Sequence, residues 1–203
     1  MKTIRRASYD EFVTWYLRRE HTKRGRTVPD LGTMEQQKDS MAREHGGKIR
    51  GWFPSAEWRL IELNSASDLE TLVCLASEWT RNSGLLRNEN SVNNRILSTF
   101  VRHAVENNYF GEFERPILHG ENSQKRQIYI QRLRNDPTIR FEDDNRVVLC
   151  SLTSGERASN SSGTFYLYDG LGRMLAYGYL IAMKHRAFRA VEAFAAIEPK
   201  PLI

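Results

Sequence analysis

Phe165-Tyr166-Leu167-Tyr168-Asp169-Gly170-Leu171-Gly172-Arg173-Met174-Leu175-Ala176 is the stretch on which the reading of this chain turns. An apolar, aromatic run enters Asp-Gly-Leu-Gly-Arg, and Met174, Leu175, Tyr177 and Leu180 then return at helical spacing. The pattern predicts a strand over 164–168 and a helix over about 171–184, with almost no loop between them. Gly170 and Gly172 let the backbone turn sharply and approach a ligand without a Cβ in the way. The start of the helix offers free N–H groups and the positive end of its dipole to an anion. Arg173, on the first turn, can grip phosphate oxygens in a bidentate fork. Asp169 stands where it can receive a proton or help to hold a divalent cation on the same phosphate. The plainer alternative is a tight strand-to-helix turn in which Arg173 only pairs with Asp169.

Working outward, Arg146 to Leu152 is a second β-branched run, and the polar stretch before Thr164 predicts a hairpin with a long connection. Ala190 to Ile197 predicts a closing strand. Upstream, Trp58 to Leu63 reads as a strand. Ser67-Asp68-Leu69-Glu70 reads as a capping box opening a helix through Leu72, Val73, Ala76 and Trp79, which stops near Ser83-Gly84. Val92, Ile96, Leu97, Phe100, Val101, Ala104 and Val105 form the most regular helical stripe in the chain, with Gly111 behind it as a cap. Arg115 to His119 reads as a short strand and 122–135 as a helix. At the start, Ser8-Tyr9-Asp10-Glu11 opens an amphipathic helix over roughly 8–20, and 22–50 reads as a polar loop with a short helix near 33–44. A helix followed by intermixed strands and helices predicts one α/β (α+β mixed) domain. Residues 1–54 would form an N-terminal helix and basic loop, and 55–203 the domain proper, with a helical insertion at about 85–135.

The composition removes several classes. With 203 residues, 40% apolar and 27% charged, the chain is an ordinary globular one and not a disordered one. No window approaches eighteen uninterrupted apolar residues, so a membrane partner is not expected, and Met1 to Arg6 has no apolar stretch behind it to make a signal peptide. A cytoplasmic location is the expectation. Cys74 and Cys150 lie far apart in apolar runs and read as two buried reduced thiols. The net charge of +5 comes wholly from residues 1–60, which hold thirteen basic and eight acidic residues. The cluster Arg18, Arg19, Lys23, Arg24 and Arg26 could meet nucleic acid phosphates, or simply crowd a helix C-terminus, where the dipole favours cations. His21, His45, His103, His119 and His185 are dispersed, with no H-x-x-x-H spacing, so no metal site is expected.

The strand, turn and helix around Gly170, Arg173 and Ala176 resemble the ParB/sulfiredoxin-like superfamily, whose pattern is G-x-x-R-x-x-A between a strand and a helix. Trp58 to Leu63 resembles that family's first strand, Pro116-Ile117-Leu118 its short second strand, and Val191 to Ile197 its closing strand. The resemblance spans about residues 55–197, with specificity in the one motif. It implies a phosphate-binding pocket for a nucleotide, ATP or CTP with Mg2+, and brings His119 towards that pocket. The departures are informative. Leu171 and Gly172 stand where sulfiredoxins carry a cysteine and a histidine, where ParB proteins carry a glutamate and an arginine, and where the family's free serine kinases carry two histidines. Cysteine sulfinic acid reduction is therefore not expected. The resemblance points to a nucleotide- or phosphate-ligand-binding protein, with phosphotransfer or nucleotide hydrolysis as its chemistry and Asp169 as the catalytic group. The phosphate would rest on Gly170, Leu171, Gly172 and Arg173. A nucleic acid-binding module and a scaffold of the same fold without catalysis are the alternatives.

Overall fold

The computed structural model describes residues 1–23, 27, 30–45, 51–74, 95–106, 130–152 and 165–199. In chain order the strands are β1 (Lys2–Ala7), β2 (Glu57–Leu63), β3 (Val73–Cys74), β4 (Arg95–Ile96), β5 (Val147–Ser151), β6 (Phe165–Asp169) and β7 (Val191–Ile197). The helices are α1 (Tyr9–Lys23), α2 (Met34–His45), α3 (Ala66–Glu70), α4 (Leu97–Glu106) and α5 (Leu171–Ala182), with single 3-10 turns at Phe53–Ser55 and Asp143–Asn145. Residues 130–135 are also helical. The protein is an α/β mixed fold, as its pattern predicts.

The strands make one seven-stranded sheet, ordered β1-β2-β7-β5-β6-β3-β4. It is mixed: β7 runs antiparallel to β2 but parallel to β5, and β6 antiparallel to β5 but parallel to β3. The expected hairpin of 146–152 with 164–168 is present, and the closing strand lies in the same sheet, with Cys150 opposite Ala196. Period-two alternation sends successive residues to opposite faces. Val147, Leu149, Leu167, Val191, Ala193 and Ala195 join α4, α5 and Ile130 in one core. Val148, Cys150, Tyr166, Phe194 and Ala196 join α1 and Met41 of α2 in the other. The sheet is thus covered on both sides, which is why all five residues of β5 are buried and its sequence does not alternate.

On the α1 face the core is aromatic. Phe12 stacks on Trp58 at 4.2 Å and 16°, Phe53 meets Trp58 edge-on, and Trp58 Nε1 donates to Phe53 O at 2.9 Å. On the other face α5 lies between the sheet and α4. Residues Arg173 to Leu180 are buried without a break, as befits a helix apolar all round. A Cβ on Gly178 would come within 2.7 Å of Val101 Cγ2, so glycine there lets α4 and α5 close together.

Two expectations need correction. The helix read from Ser67 through Val73 to Trp79 is instead a five-residue helix, Ala66–Glu70, after which Val73 and Cys74 enter the sheet. The capping serine is Ser65, whose Oγ accepts from Asp68 N at 3.1 Å, while the Asp68 carboxylate accepts from Ser65 N at 3.2 Å. Leu69, Leu72 and Val73 fit a helical period equally well, but Leu72 and Val73 are both wholly buried, with Val73 in β3. In the stripe expected from Val92, Ile96 belongs to β4 and the helix begins at Leu97; Leu97, Phe100 and Ala104 are buried together. The rest of the first of these helices, residues 75–84, together with Val92, Gly111, the strand expected at 115–119 and residues 122–129, lies outside the described residues. The start of the chain, read only against the pattern of a signal peptide, supplies the edge strand β1, Lys2–Ala7.

Candidate functional site

The junction of β6 and α5 is built by Gly170. It sits at φ 104°, ψ 10°, in the left-handed region that favours glycine, and a Cβ there would meet Val147 Cγ1 at 2.6 Å. Backbone and packing both demand the residue. From this turn α5 starts at Leu171, its N-cap Gly170 has no side chain to cap it, and Gly170 O accepts from Met174 N at 2.9 Å. Leu171 and Gly172 are half-buried. The N–H groups of Leu171 and Gly172, at the start of that turn, are the donors an anion would use.

Arg173 takes a different part from a solvent-facing phosphate clamp. It is buried, with Nη1 donating to Asn145 O at 2.8 Å and Nη2 to Arg146 O at 3.1 Å. Its Nη2 also stands 3.5 Å from Asp169 Oδ2. The guanidinium therefore ties the first turn of α5 to the entry of β5, satisfying carbonyls between the Asp143–Asn145 turn and the strand.

A second arginine reaches the same carboxylate oxygen. Arg19, on α1, is 4% exposed and places Nη2 2.5 Å from Asp169 Oδ2 and 3.7 Å from Glu20. Its guanidinium lies over the rings of Trp15 at 5.1 Å and Tyr16 at 5.5 Å, which fix its plane. Burial pushes the Tyr16 hydroxyl well above the usual phenol range, and the nearby Asp169 and Glu20 charges push it further. Asp169 thus sits between two guanidinium groups from different elements. In this arrangement its engaged oxygen is an acceptor of charge-assisted bonds.

All five loop residues expected from the sequence, Asp169, Gly170, Leu171, Gly172 and Arg173, come together at this junction. His119 lies outside the described residues. The sequence reading placed Arg19 only in the basic cluster and gave Arg19, Tyr16 and Glu20 no part in this loop. The signal for Arg19 was its spacing: it follows Phe12, Trp15 and Tyr16 on the buried stripe of α1, and so could not belong to a solvated basic patch.

Among the described residues no group of three or more His, Cys, Asp or Glu is arranged to hold a metal ion, and no helix is long and apolar enough to cross a membrane. Cys74 and Cys150 form no disulfide and are buried in the cores on opposite faces of the sheet, and burial raises the Cys74 thiol far above its ordinary value. Compared with known proteins, the chain matches no family model, no curated protein and no solved structure.

Proposed function

We propose that this protein binds a phosphate-bearing small molecule, a nucleotide such as ATP or CTP foremost, at the Asp169–Arg173 loop. The observation that carries the reading is the uncapped start of the twelve-residue α5, opened by a left-handed glycine and bordered by two guanidinium groups against one central carboxylate. Backbone amides at a helix start, the helix dipole and two guanidinium groups at one point make an anion site. Phosphotransfer or nucleotide hydrolysis would need Asp169 to leave its arginines and accept a proton or a Mg2+ ion. Two buried thiols that form no disulfide fit a reducing compartment and support a cytoplasmic location.

The donors of Arg173 favour a second reading, a scaffold of the same fold without catalysis, because they are committed to main-chain carbonyls. Nucleic acid binding through the N-terminal segment has less support. Arg5, Lys38, Arg19 and Arg59 are each ion-paired within the chain, to Glu11, Asp10, Asp169 and Glu57. A thermal-shift panel of ATP, CTP and inorganic phosphate, with and without magnesium, tests the proposal. A ligand at a hundred times its Kd should stabilise the fold by about 2.7 kcal/mol. No shift with any of them would hand the case to the scaffold, and salt-sensitive binding to arbitrary duplexes would hand it to nucleic acid.

A further inference from the structure

We propose that Arg19 is the residue that takes the ligand's phosphoryl oxygens at this loop, and that Asp169 occupies the same place as an internal anion until the ligand displaces it. The inference rests on the phosphate-binding reading above and assigns that site its cationic contact. Arg173 is poorly placed for the role, since its two terminal nitrogens already serve Asn145 O and Arg146 O. Arg19 differs in one respect. Its Nη1 is buried and has no hydrogen-bond partner among the described residues, although Nη2 sits 2.5 Å from Asp169. Buried donors are almost always satisfied, so an orphaned guanidinium nitrogen beside an uncapped helix N-terminus needs an explanation. A dianionic phosphate supplies one, because it has enough acceptors for both nitrogens of Arg19 and for the amides of the first turn of α5. Asp169 has a single charge and already shares one oxygen between Arg19 and Arg173.

The geometry also provides a route. The Asp169 side chain is 25% exposed while that of Arg19 is 5% exposed, so solvent reaches the pair from the Asp169 side. An arriving phosphate meets the carboxylate first and replaces it on the guanidinium. Stacking on Trp15 and Tyr16 keeps the guanidinium in place during the exchange. Displaced Asp169 remains beside the bound phosphate.

Calorimetric titration of inorganic phosphate and of ATP into the full chain and its variants tests this. Arg19→Gln should weaken phosphate binding at least about tenfold. Asp169→Asn keeps the shape and removes the competing charge, so it should tighten binding severalfold. If Arg19→Gln loses the fold by circular dichroism, Arg19→Lys replaces it, and its single ammonium should still bind more weakly than the native fork. Phosphate should also move the 15N resonances of the Arg19 guanidinium, a change that a merely structural role would not give. Binding by the native chain with equal affinity in the Arg19 variants overturns the assignment and leaves the loop as a phosphate site. Weaker binding by Asp169→Asn overturns the exchange, since Asp169 would then be a contact. If neither the native chain nor Asp169→Asn binds phosphate or ATP, the phosphate-binding reading itself fails.

Discussion

Arg186 does for the far end of α5 what Arg173 does for its start. Only 9% exposed, it donates to the carbonyls of Leu133 at 2.6 Å, Asp136 at 3.1 Å and Pro137 at 3.3 Å, and to that of Ile139. It thereby closes the helical turn at 130–135, with its guanidinium 5.6 Å from the Tyr177 ring. Arg186→Ala should cost about 3–5 kcal/mol in urea denaturation, because several buried acceptors lose one charged donor together. Arg186→Lys should recover little, since one ammonium cannot span four carbonyls. Beside it, α5 ends in a Schellman motif: His185 N donates to Leu180 O and Lys184 N to Ile181 O, both at 2.9 Å, with Lys184 at φ 57°. A lysine is strained there, and Lys184→Gly should raise stability by about 0.5–1 kcal/mol on the same measurement. Residue-scale detail of this kind was the least legible from sequence. The Gly170 turn announced itself through two glycines at a strand end. The carbonyl partners of Arg173 and Arg186 lie 27 to 53 positions away in the chain, where no local pattern reaches.

Among the elements, β1 shows how charge can hide a strand. Five of its six residues are exposed, so it lacks the apolar alternation by which a half-buried strand is read. Its hold on the fold is partly ionic. Arg5 grips Glu11 of α1, and the Met1 amine contacts Asp68 of α3 at 2.7 Å. The bond from Arg5 holds the Glu11 carboxyl below the usual range. Burial works against Asp68, but the amine, the Asn64 amide and the Ser65 side chain outweigh it and its carboxyl is also lowered. Carboxyls lowered by folding contribute stability above their unfolded values, near pH 4, and that contribution is lost as pH falls through the folded values. Acid should therefore loosen β1 first. Hydrogen exchange below about pH 4 should show its amides losing protection while those of β7 keep theirs. Elements with a buried face, α1, β2, β5, β6, α5 and β7, were legible because apolar spacing reports burial directly. The residues after Glu70 were misread because short apolar runs fit helix and strand alike.

On the scale of the whole molecule, β7 joins distant parts of the chain. It lies between β2, more than a hundred residues earlier, and β5, so its pairings cannot form until both ends of the sequence meet. The cores on the two faces share these strands, and the protein should therefore unfold as one unit. Phe12→Ala in the α1-side core and Phe100→Ala in the α4-side core should each cost roughly 3–5 kcal/mol. Both should shift the same single transition, and the double variant should be additive within about 0.5 kcal/mol, because the two sites share no contact. Separate transitions in calorimetry would mean that the faces melt independently. The aromatic packing on the α1 face has an optical consequence. Trp15, Trp52 and Trp58 all belong to that face, while Trp79 lies outside the described residues. Ultraviolet emission from these three indoles reports on one side of the sheet, and Trp15 lies directly under the Arg19 guanidinium. A phosphate that replaces the Asp169 carboxylate on that guanidinium changes the charge beside the Trp15 ring and with it the emission of Trp15, so the native chain carries its own label-free reporter of loop occupancy.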